Sequence, residues 1–178
     1  MTTKRNFKWS TQLSVGNSSQ EAFFRRYEEQ LLKRKGNHSG DFEVMLTGKV
    51  LELKSDQYKS TDNFFMERWS KKDEKKPGGP WQAQEHGSDY LIYWFPKQEE
   101  LFLFDIPTLV LALNPIVETL KPVDVWNHSY TTVGYKVPKV LLISEDRTIP
   151  KDGMQMNRYG YLGSDVTELF PGKVEKKG

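Results

Sequence analysis

The chain has 178 residues, one domain's length, and its 37% apolar and 13% aromatic content is enough for a packed core, which excludes a wholly disordered chain. No cysteine is present, which excludes disulfides, zinc–cysteine centres and thiol nucleophiles, and no apolar run is long enough for a membrane-spanning helix. The net charge of +2 is unevenly spread: residues 1–35 carry +5, 36–67 carry −3, 68–76 carry +3 and 77–118 carry −5.

Residues 1–17 read as a polar, basic arm with Phe7 and Trp9 as candidate anchors. Met1 to Phe7 leads into no apolar stretch, so no secretory leader is expected and a cytoplasmic location is. The spacing predicts a helix over about 19–35. Ser18 and Glu21 stand as in a capping box, Phe23, Phe24, Tyr27 and Leu31 recur at helical intervals, and Gly36 is the stop. Residues 42–46 and 49–54 read as a hairpin turning at Thr47-Gly48. Residues 63–69 read as a third strand, 71–80 as a charged loop rich in Pro and Gly, and 81–86 as a short helix. Residues 89–95 and 100–104 are strand-like and expected to pair. Residues 107–120 read as a helix, with Pro107 in its first turn and Asn114-Pro115 breaking or kinking it. Further on, 130–133 and 137–143 read as strands, 159–170 as a short strand plus a helical turn, and 173–178 as a frayed basic tail. The order α-β-β-β-α-β-β-α implies an α/β or α+β layout with a central mixed sheet, and an α/β domain with that sheet flanked by helices is the expectation.

The hairpin carries the chemistry. A two-residue turn pairs Val44 with Leu51, Glu43 with Glu52, Phe42 with Leu53 and Asp41 with Lys54. Paired side chains share a face. One face is Phe42, Val44, Leu46, Leu51 and Leu53, uniformly apolar, and belongs in the core. The other holds Asp41, Glu43, Glu52 and Lys54. Two carboxylates with Cβ atoms about 5 Å apart repel each other unless something compensates. Magnesium or manganese, with their preference for oxygen ligands, would do so. Lys54 could then orient a metal-bound water or stabilise charge in phosphoryl transfer. A solvated hairpin face with an Asp41–Lys54 surface ion pair satisfies the same spacing.

The segment D41-F-E-V-M-L-T-G-K-V-L-E52-L-K54 resembles the metal-binding hairpin of the PD-(D/E)XK nuclease superfamily, which includes restriction endonucleases and phage and archaeal Holliday-junction resolvases. Its pattern is an acid on one strand and E-x-K on the next; here the acid-to-Glu gap is eleven. The strand N63-F-F-M-E67, the glycines that follow and D89-Y-L-I-Y-W extend the resemblance to small phage and bacterial members, over about residues 18–120. Ser39-Gly40 stands where a proline often precedes the first acid. The resemblance implies a restriction-endonuclease-like core with residues 121–178 as a C-terminal extension on the same domain. It implies a magnesium- or manganese-dependent endodeoxyribonuclease in which Asp41, Glu52 and the Leu53 carbonyl hold the ion. Lys54 would position the attacking water, which displaces the 3′ oxygen in line. Many members carry a further glutamate on the preceding helix. Glu21 is the first choice for it and Glu28 the second, while Glu43 could replace or assist Asp41.

The basic elements suit phosphate contacts: Arg25, Arg26, Lys33, Arg34 and Lys35 on the first helix, and Arg68, Lys71, Lys72, Lys75 and Lys76 beside the third strand. Trp81 in the glycine-rich loop could stack on a base. The expected partner is duplex or branched DNA, with a homodimer open and no membrane. The rival is a non-catalytic nucleic-acid-binding or assembly protein that keeps the fold, and an RNA nuclease is the third reading. Three widely separated histidines, His38, His86 and His128, give no HNH spacing, and Gly78-Gly79 lacks a P-loop context.

Overall fold

Two runs, β6 (Tyr90–Phe95) and β7 (Glu100–Asp105), are apolar almost throughout, and both are buried on both faces. That composition requires cover on each side of the sheet. The computed structural model describes residues 18–25, 32–34, 40–44, 48–98 and 100–143, and provides that cover. Leu91, Tyr93, Phe95, Phe102 and Phe104 point to one core, and Ile92, Trp94, Leu101 and Leu103 to the other.

The chain runs α1 (residues 18–25), β1 (Leu32–Arg34), β2 (Phe42–Val44), β3 (Lys49–Ser55), β4 (Asn63–Lys71), β5 (Lys76–Pro77) and α2 (Gly79–Glu85). Then come β6, β7, α3 (Ile106–Thr119), β8 (Pro122–Asn127), β9 (Tyr130–Pro138) and a 3-10 turn, Lys139–Leu141. The expected α/β class with a mixed sheet flanked by helices holds. The first sheet has the order β1-β2-β3-β6-β7, with β3 and β6 parallel and the other neighbours antiparallel. Helix α1 covers one face through Phe23, whose ring lies 5.5 Å from Phe42 and 5.8 Å from Trp94. Helix α3 covers the other through Ile106, Leu109, Val110 and Leu113.

The third strand does not join this sheet. β4 lies in a second, antiparallel sheet of order β5-β4-β9-β8. Its partner β9 belongs to the stretch expected to be an extension, so residues 122–138 are woven into the same structure. Phe64 fastens the two sheets: its ring meets those of Tyr93, Phe102 and Phe104 edge-on at 5.0, 4.9 and 5.4 Å. The Tyr93 hydroxyl accepts the Phe65 N–H at 3.0 Å on the open edge of β4. Parallel β3 and β6 need a long crossover, and here it consists of β4, β5 and α2.

Three expectations are corrected. The first helix does not run to 35, because Leu32–Arg34 pair with β2 as a strand (Leu32↔Val44, Arg34↔Phe42) and edge pairing wins over helical periodicity. Lys33 and Arg34 therefore sit on a strand. Helix α3 continues past Asn114-Pro115 to Thr119. The strands expected at 130–133 and 137–143 are instead one strand, β9, followed by the 3-10 turn. Expectations for residues 1–17, 159–170 and 173–178 lie outside the described residues. Among the described residues no helix is long and apolar enough to cross a membrane.

Candidate functional site

Gly40 adopts φ +85°, and a Cβ there would meet Val50 Cγ1 at 2.5 Å, so the chain can bend into β2 only with glycine. The bend delivers Asp41 onto β3. Its N–H donates to the Leu51 carbonyl at 2.8 Å, and its Oδ2 accepts the Leu53 N–H at 2.7 Å. The hairpin register is Phe42↔Leu51, Glu43↔Val50 and Val44↔Lys49, two residues away from the expected one. A two-residue slip keeps every side chain on its face. Phe42, Leu51 and Leu53 are accordingly buried, as expected. What changes is the partnership: Glu43 faces Val50, and Asp41, one step beyond Phe42↔Leu51, faces Glu52.

The parallel register Glu52↔Leu91 and Lys54↔Tyr93 turns Glu52 and Lys54 toward the crossover. Burial and the Asp41 charge push the Glu52 carboxyl up to about 8, partly offset by the Lys54 ammonium. Burial also raises Asp41, against the Leu53 N–H that favours its anion. The two carboxylates and one ammonium thus act on one another across β2 and β3.

Two further groups reach this place. Gln20 of α1 donates from Nε2 to Asp41 Oδ1 at 2.7 Å. Three residues before buried Phe23, it shares the helix face that packs on the sheet. Glu67 of β4 is raised by burial and held down by the charge of Lys54. Alternation in β4 buries Phe64 and Met66 and leaves Glu67 on the other side. Both residues are in the sequence, but the resemblance points to a glutamate on the helix, and Glu67 stands there only as the end of the strand N63-F-F-M-E67.

The other candidates fall elsewhere. Glu21 accepts from Arg25 Nε at 3.1 Å along the exposed side of α1. Glu28 and Arg26 lie outside the described residues. In the basic hairpin, Lys71 pairs with Glu74 at 3.0 Å and Lys72 with Asp124 at 2.6 Å. Lys75 occupies the turn at φ +47°, and Lys76 is exposed on β5. The Arg68 guanidinium stacks on Trp69 (4.1 Å) and Trp81 (4.7 Å). Trp81 cannot stack on a base: it is buried in the core, with its indole N–H on Asn114 Oδ1 at 3.0 Å.

Among the described residues no three or more His, Cys, Asp or Glu side chains are grouped as a metal cage. A pair of carboxylates still fits magnesium, which commonly takes one or two, together with waters and substrate phosphate. Comparison with protein families, curated proteins and solved structures finds no match for this chain. A part-buried hydrogen bond to a carboxylate contributes about 1.5–3 kcal/mol, whereas an exposed i,i+4 ion pair contributes about 0.3–0.5 kcal/mol. Gln20→Ala is therefore expected to lower the melting temperature clearly and Glu21→Ala hardly at all. Thermal melts of the two variants compare them.

Proposed function

We propose that this chain is a metal-dependent endodeoxyribonuclease with a PD-(D/E)XK-like site. The observation that carries this reading is the juxtaposition of Asp41 and Glu52 with Lys54 two residues on. Burial first and the Asp41 charge second push the Glu52 carboxyl up to about 8, and a divalent ion would offset both. Asp41, Glu52 and the Leu53 carbonyl would hold magnesium or manganese. Bound there, the ion would supply Lewis acidity toward water and phosphate oxygens. Gln20 and the Leu53 N–H fix the Asp41 carboxylate in one orientation. Lys54 orients the attacking water and stabilises charge as the 3′ oxygen leaves. Arg68, its guanidinium over the rings of Trp69 and Trp81, would meet backbone phosphates together with the lysines of the β4–β5 turn.

The test is cleavage of supercoiled plasmid, a four-way junction and single-stranded RNA in magnesium, manganese and EDTA. Cutting of DNA in either metal and none in EDTA is expected. Preference for the junction would define a branched substrate, and cutting of RNA alone would overturn the DNA assignment. No cutting of any substrate by folded protein would overturn the reading in favour of a non-catalytic nucleic-acid-binding or assembly protein.

A further inference from the structure

Glu67 is an expensive residue to keep where it is. The chain folds tightly over it at Gly78 and Gly79. A Cβ at Gly78 would meet Glu67 Oε1 at 2.5 Å, and one at Gly79 (φ +48°) would meet the Glu67 carbonyl at 2.8 Å. The β4–β9 register shifts between Glu67 and Trp69, a bulge that re-aims the strand at this residue. Two residues earlier, the Phe65 N–H bonds the Tyr93 hydroxyl, and Tyr93 is the β6 neighbour of Lys54. The open edge of β4 therefore runs along the same gap into which Lys54 projects. The register sets Lys54 beside Tyr93, whose hydroxyl meets β4 two residues before Glu67. Across that gap the Lys54 ammonium favours the anions of both Glu67 and Glu52, carboxylates carried by different sheets. A lysine two residues from a lone carboxylate on one strand face would swing onto it, because its four-carbon stem is flexible. In a metal site that collapse would block both the metal ligand and the ammonium.

We propose that Glu67, wedged beneath the Gly78-Gly79 fold, is a positioning residue that holds Lys54 away from Glu52. The proposal rests on the nuclease reading above. It leaves Glu52 open to the metal and the ammonium open to water. Three consequences follow for Glu67→Gln, which keeps the shape and removes the charge. Single-turnover cutting should fall about 10–100-fold, as for other groups that orient site residues. The magnesium concentration for half-maximal rate should rise, because Glu52 is now competed for. DNA affinity measured in calcium should not change.

The experiment is a cycle of wild type, Glu67→Gln, Lys54→Ala and the double variant, cutting plasmid across a magnesium series, with circular dichroism melts to confirm folding. Glu67→Gln should add nothing to Lys54→Ala, since Glu67 acts through Lys54. Glu67→Asp keeps the charge but withdraws it by one methylene, and should fall between wild type and Glu67→Gln. Full activity of Glu67→Gln, an unchanged magnesium requirement, or an equal further loss in the Lys54→Ala background would overturn the role of Glu67 while leaving the nuclease reading intact. A wild type that cuts no nucleic acid would overturn both.

Discussion

Lys54→Ala is expected to lower metal-dependent cutting by about 10²–10⁴-fold, the range for removing a group that handles protons or orients water. DNA affinity in calcium should stay within a few-fold, because one ammonium accounts for one phosphate contact at most. The loss should not be recovered by Lys54→Arg. Guanidinium is planar and bulky, and Tyr93, the β6 neighbour of Lys54, is tied to Phe65 of β4 by a hydrogen bond of 3.0 Å. The variant also has a structural signature. Lys54 is the charge that lowers both Glu52 and Glu67, so without it both carboxyls move further up, and the melting temperature should drop more at alkaline than at acid pH. Single-turnover gels for rate and melts across pH for stability separate the two effects. Equal cutting by wild type and variant would mean that the hairpin is not the active site.

The hairpin was readable because its information is local. Phe42, Leu51 and Leu53 alternate with Asp41, Glu52 and Lys54, and alternation assigns faces whatever the turn length. The register was not readable, because residues 45–48 separate the paired positions where a tight turn would leave only Thr47-Gly48. Since the slip is by two, the acidic face survives while every partner changes, that of Glu52 from Glu43 to Asp41. Errors grew where pairing is non-local. Leu32–Arg34 carry a helical pattern but complete a sheet edge, and 63–71 look like a neighbour of the hairpin but pair with 130–138. That second sheet is why Glu67 went unnoticed. Its relation to Lys54 exists only once the crossover has carried β4 back over Tyr93. Gln20 is not legible for a chemical reason: the resemblance points to an acid on the helix, whereas an amide is what donates to an anionic Asp41.

Glu52→Gln should abolish cutting and yet stabilise the metal-free protein above about pH 8. The sign follows from proton linkage. Glu52 has an ordinary value of 4.5 when unfolded and about 8 when folded. Between these values the folded protein keeps a proton that the unfolded chain has released. Stability therefore falls as pH rises through that window, and the full cost is present above it. At about 1.4 kcal/mol per tenfold, the span bounds the cost at about 5 kcal/mol, and burial raises Asp41 in the same direction. Glutamine carries no charge to desolvate and none to repel Asp41, so the variant's melting temperature should decline less than the wild type's, the remaining slope coming from buried Asp41 and Glu67. Magnesium should reverse the order. It binds the ionised pair and stabilises the folded form by mass action, so wild type should gain most above about pH 8 and progressively less as protons compete at lower pH. Glu52→Gln, left with Asp41 alone, should gain little at any pH. Melts of both proteins from acid to alkaline pH, with and without magnesium, give four curves. Parallel pH profiles for wild type and variant would show that Glu52 is not strained by Asp41. A magnesium shift that survives in Glu52→Gln would place the ion elsewhere.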